Sequence, residues 1–498
     1  MKLSGPRRQR APVSAVTLTV GLLTVAVILF GWVGPAAAFD FSSMHRDPIA
    51  PVILGVTGIL FMALIGRFSA RRLGLPTVLG ELTMGIIVGN IAYWLNLDLF
   101  MVLREGPAIF DTVQYMLHGE PVNIAARHAL GETNAVRLMD VLQGPYGNEL
   151  LQVAHTVDVF SRYGVIFLLF MVGLDTSLEE MRRVGTESMR VALIGVLLPF
   201  LLGFVCSRCL LPDIALHTSL FLGAALGATS VGISVRVLDE LGLTQSSTAR
   251  IILGAAVFDD ILGLLMLAIV SGIVVSGDVD LMHMTLVILL ASLFLGSALF
   301  LGPYFLRYII RLVGHLDLIE AKMFVSYLFV MVLAWLASMS GLATIVGAFT
   351  AGVILHDAYF EHWGRKETHA YTIKDLIMPL EVILVPIFFV LMGIQVKLEA
   401  FWDWSVIILA GGLLASAIIG KLACGWGVAR SQNRLAIGAG MLPRGEVGLI
   451  FAIIGKGLGV IDDALFSAIV LMVILTTLIS PPLLKFALRR ESARVRNM

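Results

Sequence analysis

Charge is scarce in this chain of 498 residues: Asp, Glu, Lys and Arg together make up 14%, against about 25% in an ordinary soluble domain. Hydrophobic side chains make up 58%. That balance excludes a water-soluble globular fold and places most of the chain in a bilayer. The formal net charge is zero and there is no basic tract, which excludes nucleic acid as a partner. Cysteine is nearly absent. Three residues cannot build a disulfide framework, and the lone C-x-x-C of Cys206 and Cys209 lacks the second ligand pair that a zinc site needs. No P-loop, H-E-x-x-H motif or nucleophile–base pair is present, so neither an enzyme nor a cofactor is expected. His155, His283, His315 and His356 are scattered and read as interfacial or satisfied side chains.

Hydrophobic runs are what the chain has. The first follows "MKLSGPRRQR", spans 13–33 and ends at "GPAAAFD". Segment 1–38 therefore reads as a secretory signal peptide cut near Ala38 by the small-residue rule, with an uncleaved membrane span as the alternative. Beyond it come thirteen apolar runs, at 49–66, 75–95, 159–175, 190–211, 217–238, 248–275, 284–306, 322–340, 342–357, 377–396, 404–429, 435–459 and 463–485. Each is of spanning character, so the expected class is an all-α polytopic membrane protein. If the spans alternate, the clusters Arg67/Arg71/Arg72, Arg182/Arg183/Arg190, Arg307/Arg311/Lys322, Arg365/Lys366/Lys374, Arg430/Arg434 and Lys485/Arg489/Arg490 share one side. That side is cytoplasmic by the positive-inside rule. The mature N-terminus and the polar connection 96–155 then face outward, and the tail 486–498 faces the cytoplasm.

The chain also repeats itself. "GLPTVLGELTMGIIV" (74–88) matches "GLATIVGAFTAGVIL" (341–355) at Gly74, Leu75, Thr77, Gly80, Thr83, Gly85 and Ile87. "FLLFMVGLDTSLEE" (167–180) echoes "IFFVLMGIQVKLEA" (387–400), and "TSVGISVRVLDELGL" (229–243) echoes "GEVGLIFAIIGKGLGV" (445–460) with one gap. The order is kept, so 49–275 and 322–485 read as two copies of a six-helix unit. The single helix 284–306 between them makes the copies inverted, a plan characteristic of secondary transporters.

Two adjacent aspartates stand inside the run "GAAVFDDILGLL" (254–265). Asp259 lies nine residues from Arg250, about 13 Å deep at about 1.5 Å per residue. A charge at that depth costs at least about 2.5–3.5 kcal/mol on insertion scales, so the pair must face protein or a wet cavity. A structural salt bridge accounts for one carboxylate and not for two. Coupled titration of the doublet suits groups that gain and lose protons. Lys421 lies nine residues from Arg430, too deep to snorkel, and is the expected partner of Asp259. Two more spans are interrupted at corresponding places, "LGATSVGISV" (226–235) and "LPRGEVGLIF" (442–451). Unwound backbone there exposes carbonyls that can hold a cation, with the Thr229 and Ser230 hydroxyls beside them. Arg444 and Glu446 read as charges that neutralise the opposed helix ends, with direct cation ligation by Glu446 as the alternative.

Taken together, the "FDD" helix, the "ATS" break, the "IIGK" lysine and "PRGEVGLIF" resemble the monovalent cation:proton antiporters of the NhaA and NapA type, to which the Kef systems are related. The resemblance covers 49–485. It implies 13 spans with two crossed discontinuous helices, a homodimer in a bacterial cytoplasmic membrane, and elevator-like movement of one domain against another. It also implies that Asp260 is the main cation and proton carboxylate, and that Asp259 carries a second proton and pairs with Lys421 when the cation is absent. Thr229 and Ser230 would line a sodium site with the aspartates. Kef systems usually carry a C-terminal nucleotide-binding domain and a glutamine before the aspartate. Here Asp259 stands at that position and no such domain follows the last span, which favours the sodium-type, electrogenic class. The expected partners are sodium or another monovalent cation, protons and membrane lipid. Potassium/proton exchange, a sodium-coupled organic-anion symporter on the same crossed-helix plan and a gated channel are the rival readings.

Overall fold

An apolar solvent offers no partner to backbone N–H and C=O groups, so the apolar runs must satisfy them internally, and helices do so. The computed structural model describes residues 47 and 49–496 except 107–111, 113, 114, 117, 120, 122, 123, 126, 128–137, 140, 176–184, 231–233, 235, 236, 239, 240, 242, 244, 245, 277–280, 314–316, 341, 364–370 and 445. The segment 1–38 and the Glu446 side chain lie outside the described residues. There is no strand among the described residues.

The helices are α1 (Ala50–Leu73), α2 (Thr77–Trp94), α3 (Asp98–Arg104), α4 (Gly147–Asp175), α5 (Thr186–Leu210), α6 (Leu216–Ala225), α7 (Ser247–Ser276) and α8 (Leu281–Leu312). They continue with α9 (Leu318–Met339), α10 (Thr344–Ile354), α11 (Ile373–Ile394), α12 (Trp404–Ala423), α13 (Arg434–Gly440), α14 (Glu446–Gly457) and α15 (Asp463–Arg496). Among the described residues eight are long and apolar enough to cross a membrane: α1, α4, α5, α7, α9, α11, α12 and α15. The ends follow local chemistry. α1 begins with Pro51 in its first turn, where the missing N–H costs nothing. It stops at Gly74, whose left-handed backbone returns an N–H to the Ala70 and Arg71 carbonyls. α11 starts at a capping box between Thr372 and Asp375.

Packing sorts the helices into two groups. α1, α2, α4, α9, α10 and α11 pack mainly on one another, and α5, α6, α7, α12, α13, α14 and α15 do the same. Each group thus draws on both halves of the sequence. α8 touches α7, α9 and α10 and links the groups, as does the 3-10 turn Leu398–Trp402 against α12 and α15. In the first group two crossings depend on glycine. A methyl on Gly85 of α2 would collide with the Val390 carbonyl of α11, and one on Gly393 with the Leu82 carbonyl. Gly173 of α4 and Gly352 of α10 meet in the same reciprocal way, against Phe349 and Phe170. α8 leaves Phe300, Leu301, Tyr304 and Tyr308 exposed, an apolar face that suits lipid rather than water.

Candidate functional site

The second helix group contains the two interruptions. α6 ends at Ala225, and the chain runs unwound through Ala228, Thr229 and Ser230. α13 ends at Gly440 and α14 begins at Glu446, with Pro443 between them. The two unwound stretches cross. The Ser230 N–H donates to the Pro443 carbonyl at 2.8 Å, and in return Arg444 Nη1 donates to the Ala228 carbonyl at 2.9 Å. Arg444 is fully buried. Its cation sits at the C-terminal end of α6, where the helix presents partial negative charge.

α7 delivers the aspartates to this crossing. Small residues at Ala255, Ala256 and Gly263 let it approach closely, and a methyl on Gly263 would touch Ala228 of the α6 break. Successive residues on a helix point about 100° apart, so the doublet diverges. Asp259 is fully buried, whereas Asp260 is half-buried. From the opposite side α12 brings Lys421. That helix lies against α5, where the Pro199 ring leaves no room for a side chain at Gly420. Lys421 occupies the last turn of α12, where a cation is favoured by the helix dipole.

The Lys421 ammonium makes two bonds. It donates to Asp259 Oδ1 at 2.9 Å and to Thr229 Oγ1 at 2.5 Å. Both ends of the ion pair are inaccessible to solvent. Thr229 Oγ1 in turn donates to the Met441 carbonyl at 3.2 Å, and Ser234 Oγ donates to the Gly440 carbonyl at 2.6 Å. Asp259 Oδ2 is buried and has no hydrogen-bond donor among the described residues. One face of the carboxylate is therefore fixed by lysine, and the other retains lone pairs for a proton or a cation. Gly195 of α5 lies alongside: a methyl there would meet Lys421 Nζ at 3.6 Å and Asp259 Oδ1 at 3.7 Å.

The structure thus gathers Asp259, Lys421, Thr229, Ser230 and Arg444 at one crossing, with Asp260 on the next position of the same helix. It departs from the sequence reading in the state of the carbonyls. Those of Gly440, Met441 and Pro443 are not bare but accept bonds from Ser234, Thr229 and Ser230. Each carbonyl still has a second lone pair.

These features match a known family. Residues 119–490 match the family model described as sodium/hydrogen exchanger, transmembrane. The chain belongs to that family. It is 34% identical to the high-affinity Na(+)/H(+) antiporter NhaS3 of Synechocystis sp., over 88% of this chain and 90% of that one. It is also 34% identical to the Na(+)/H(+)-K(+) antiporter GerN of Bacillus cereus, over 86% of this chain and 94% of that one. Among solved structures, the sodium proton antiporter MjNhaP1 from Methanocaldococcus jannaschii aligns with a TM-score of 0.56. The alignment covers 90% of this chain and 99% of that one at 16% identity, and it speaks to fold. This is a multi-pass membrane protein of an exchanger family.

A second charged cluster in the chain escaped the sequence reading. Lys397 Nζ bonds Glu105 at 3.1 Å and Asp463 at 2.6 Å, and Lys456 Nζ reaches the other Asp463 oxygen at 2.7 Å. Beside it Arg104 holds Glu399 at 2.8 Å, donates to Asn90 at 3.1 Å and lies over the Tyr93 ring. The cluster borders a cavity of about 260 Å³. The residues lie at the ends of different runs, 66 positions apart for Lys397 and Asp463 and 292 for Lys397 and Glu105. Nothing in local pattern distinguishes them from solvated loop charges.

Proposed function

We propose that the chain exchanges sodium or lithium for protons across a bacterial cytoplasmic membrane, with cation and protons competing for Asp259 and Asp260. The observation that carries this is the half-engaged carboxylate. Asp259 is sealed from solvent and neutralised on one oxygen by Lys421, and its other oxygen, without a donor among the described residues, can take a proton or a cation. A buried charge in an apolar span is expensive, and a site that trades one cation for another keeps it compensated throughout. Arrival of sodium at the aspartates displaces protons and loosens the Lys421 contact. Departure of sodium restores that contact.

The reading extends to the architecture. We take α2, α8, α6 with its break, α10 and the α13–α14 pair together with the eight long helices as thirteen spans. They form two inverted repeats, 49–275 and 322–485, joined by the linker helix 284–306. The reciprocal glycine crossings support this, since the repeat alignment carries Gly85 onto Gly352 and Gly173 onto Gly393. Two helix groups that meet through few elements suit an elevator, in which the group holding Asp259 slides against the other. A homodimer built on the other group, an outward mature N-terminus, an outward loop 96–155 and a cytoplasmic tail complete the proposal. Two protons per cation make the exchange electrogenic, and each elementary charge crossing 100 mV is worth about 2.3 kcal/mol.

The test is cation-dependent proton movement in proteoliposomes with sodium, lithium or potassium, for wild type and Asp260→Asn. Proton release on sodium or lithium addition, abolished by the substitution, is the expected result. A response to potassium as well would move the substrate toward that of GerN, which is described as a Na(+)/H(+)-K(+) antiporter. Silence toward all three ions in folded protein would overturn the exchanger reading and bring the organic-anion symporter forward.

A further inference from the structure

The last helix, α15, takes no charged part in the site, yet it holds the site's backbone in place. Thr477 Oγ1 donates to the Arg444 carbonyl at 2.7 Å, and Ser480 Oγ donates to the Ala439 carbonyl at 3.1 Å. Both hydroxyls are buried and lie three positions apart, on one face of the helix. They grip the two ends of the interruption between α13 and α14. Within those ends Ser234, Thr229 and Ser230 bond the carbonyls of Gly440, Met441 and Pro443. In water an unwound stretch would satisfy its carbonyls with solvent, but here each bonded carbonyl depends on a protein donor.

The bonds form a relay. Thr477 fixes the Arg444 backbone, and Arg444 Nη1 fixes the Ala228 carbonyl. Thr229, the next residue, then presents its hydroxyl to Lys421, which bonds Asp259. From the geometry we infer that Thr477, with Ser480 in support, is a positioning residue of the cation and proton site, acting through the α13–α14 break on Thr229 and Lys421. The inference rests on the exchanger reading for its consequence in transport, though not for the contact itself. Loss of the Thr477 hydroxyl frees the Arg444 carbonyl, lets the crossing drift, and lengthens the Thr229–Lys421 contact. Sodium then meets a less organised site, while Asp259 and Asp260 remain in place.

The experiment uses the full chain with Thr477→Val, which removes the hydroxyl at nearly constant shape, Thr477→Ser, which keeps it, and Ser480→Ala. Two readouts are taken. The first is hydrogen exchange at the Ser230 amide, whose N–H bonds the Pro443 carbonyl, and at the amides of 439–442 and 444. Thr477→Val is expected to accelerate exchange there, and Thr477→Ser to restore protection. The second is sodium-dependent proton movement in proteoliposomes as a function of sodium concentration and pH. Half-maximal exchange is expected at roughly three- to tenfold higher sodium in Thr477→Val, the size one lost hydrogen bond allows, with a displaced pH profile. Ser480→Ala should follow in the same direction with a smaller shift.

Wild-type exchange protection that Thr477→Val leaves unchanged would overturn the positioning role. So would a lowered melting temperature with half-saturation and pH profile unmoved, because that is the mark of packing alone. If wild type moves no protons with any cation, the exchanger reading falls, and hydrogen exchange still decides whether Thr477 holds the break.

Discussion

Lys421 and Lys397 each bond an aspartate within 2.9 Å, yet they sit in opposite electrostatic worlds. Lys421 and Asp259 are sealed from solvent, and Asp259 keeps one oxygen without a donor among the described residues. Lys397 keeps 13% of its side chain exposed, engages Glu105 as well as Asp463, and shares Asp463 with Lys456. The first pair is sparse: remove either member and a charge is stranded in an apolar interior. The second is redundant, with more than one countercharge and solvent nearby. A sparse pair suits a site that changes partners. A redundant one suits a contact that stays closed, and Lys397–Asp463 does join the helix group of α11 to that of α15.

Breaking the sparse pair should have the largest effect. Lys421→Met leaves Asp259 charged and buried, a loss of about 3–5 kcal/mol for a stranded partner, read as a large drop in thermal unfolding temperature in detergent. Combining Lys421→Met with Asp259→Asn removes both charges, and should recover most of the stability while transport stays absent. A double variant as unstable as Lys421→Met alone would show that Lys421 matters through packing instead.

Breaking the redundant network should cost less. Lys397→Met leaves Lys456 on Asp463 and leaves Glu105 partly solvated, so the expected loss is smaller than the roughly 3–5 kcal/mol of breaking a fully buried pair. Salt sharpens the contrast. Exposed charges are screened beyond about 8 Å at physiological ionic strength, and buried pairs much less. The destabilisation by Lys397→Met should therefore shrink as salt is raised, while that by Lys421→Met should hold. Equal salt responses in the two variants would erase the distinction.

How far the sequence spoke follows the same division. Asp259 could be placed because it shares α7 with Arg250, so the helix rise sets its depth. Lys421 could be matched to it by the same count of nine residues to Arg430, although α12 ends at Ala423 and the chain from there to Arg430 is not α-helical. The interruptions at Thr229 and at Pro443 were legible because polar residues set beside glycine, and proline in the second, break an apolar run. Lys397, Glu105 and Asp463 were not, because their meeting is set by tertiary packing of three chain ends, which no period records. Thr477 and Ser480 were hidden differently. A hydroxyl in a spanning helix ordinarily bonds its own preceding turn, as Thr476 does to Met472. Only the crossing geometry shows that its neighbour Thr477 reaches across to the break between α13 and α14.

The smallest expected effect concerns the wall of the sparse pair. A methyl at Gly195 would sit 3.5–3.7 Å from the Cys424 Cβ, Lys421 Nζ and Asp259 Oδ1, which is ordinary contact. Gly195→Ala should therefore fold with stability within about 0.5 kcal/mol of wild type and keep exchange. Gly195→Val adds two more carbons beyond a Cβ that already touches Cys424, Lys421 and Asp259, and is expected to press on the pair. The expected outcome is folded protein in which sodium half-saturation rises and the unfolding temperature changes little. If Gly195→Val transports as wild type does, the pair has slack on the α5 side. Movement of Lys421 during the cycle would then have room in that direction rather than toward Thr229.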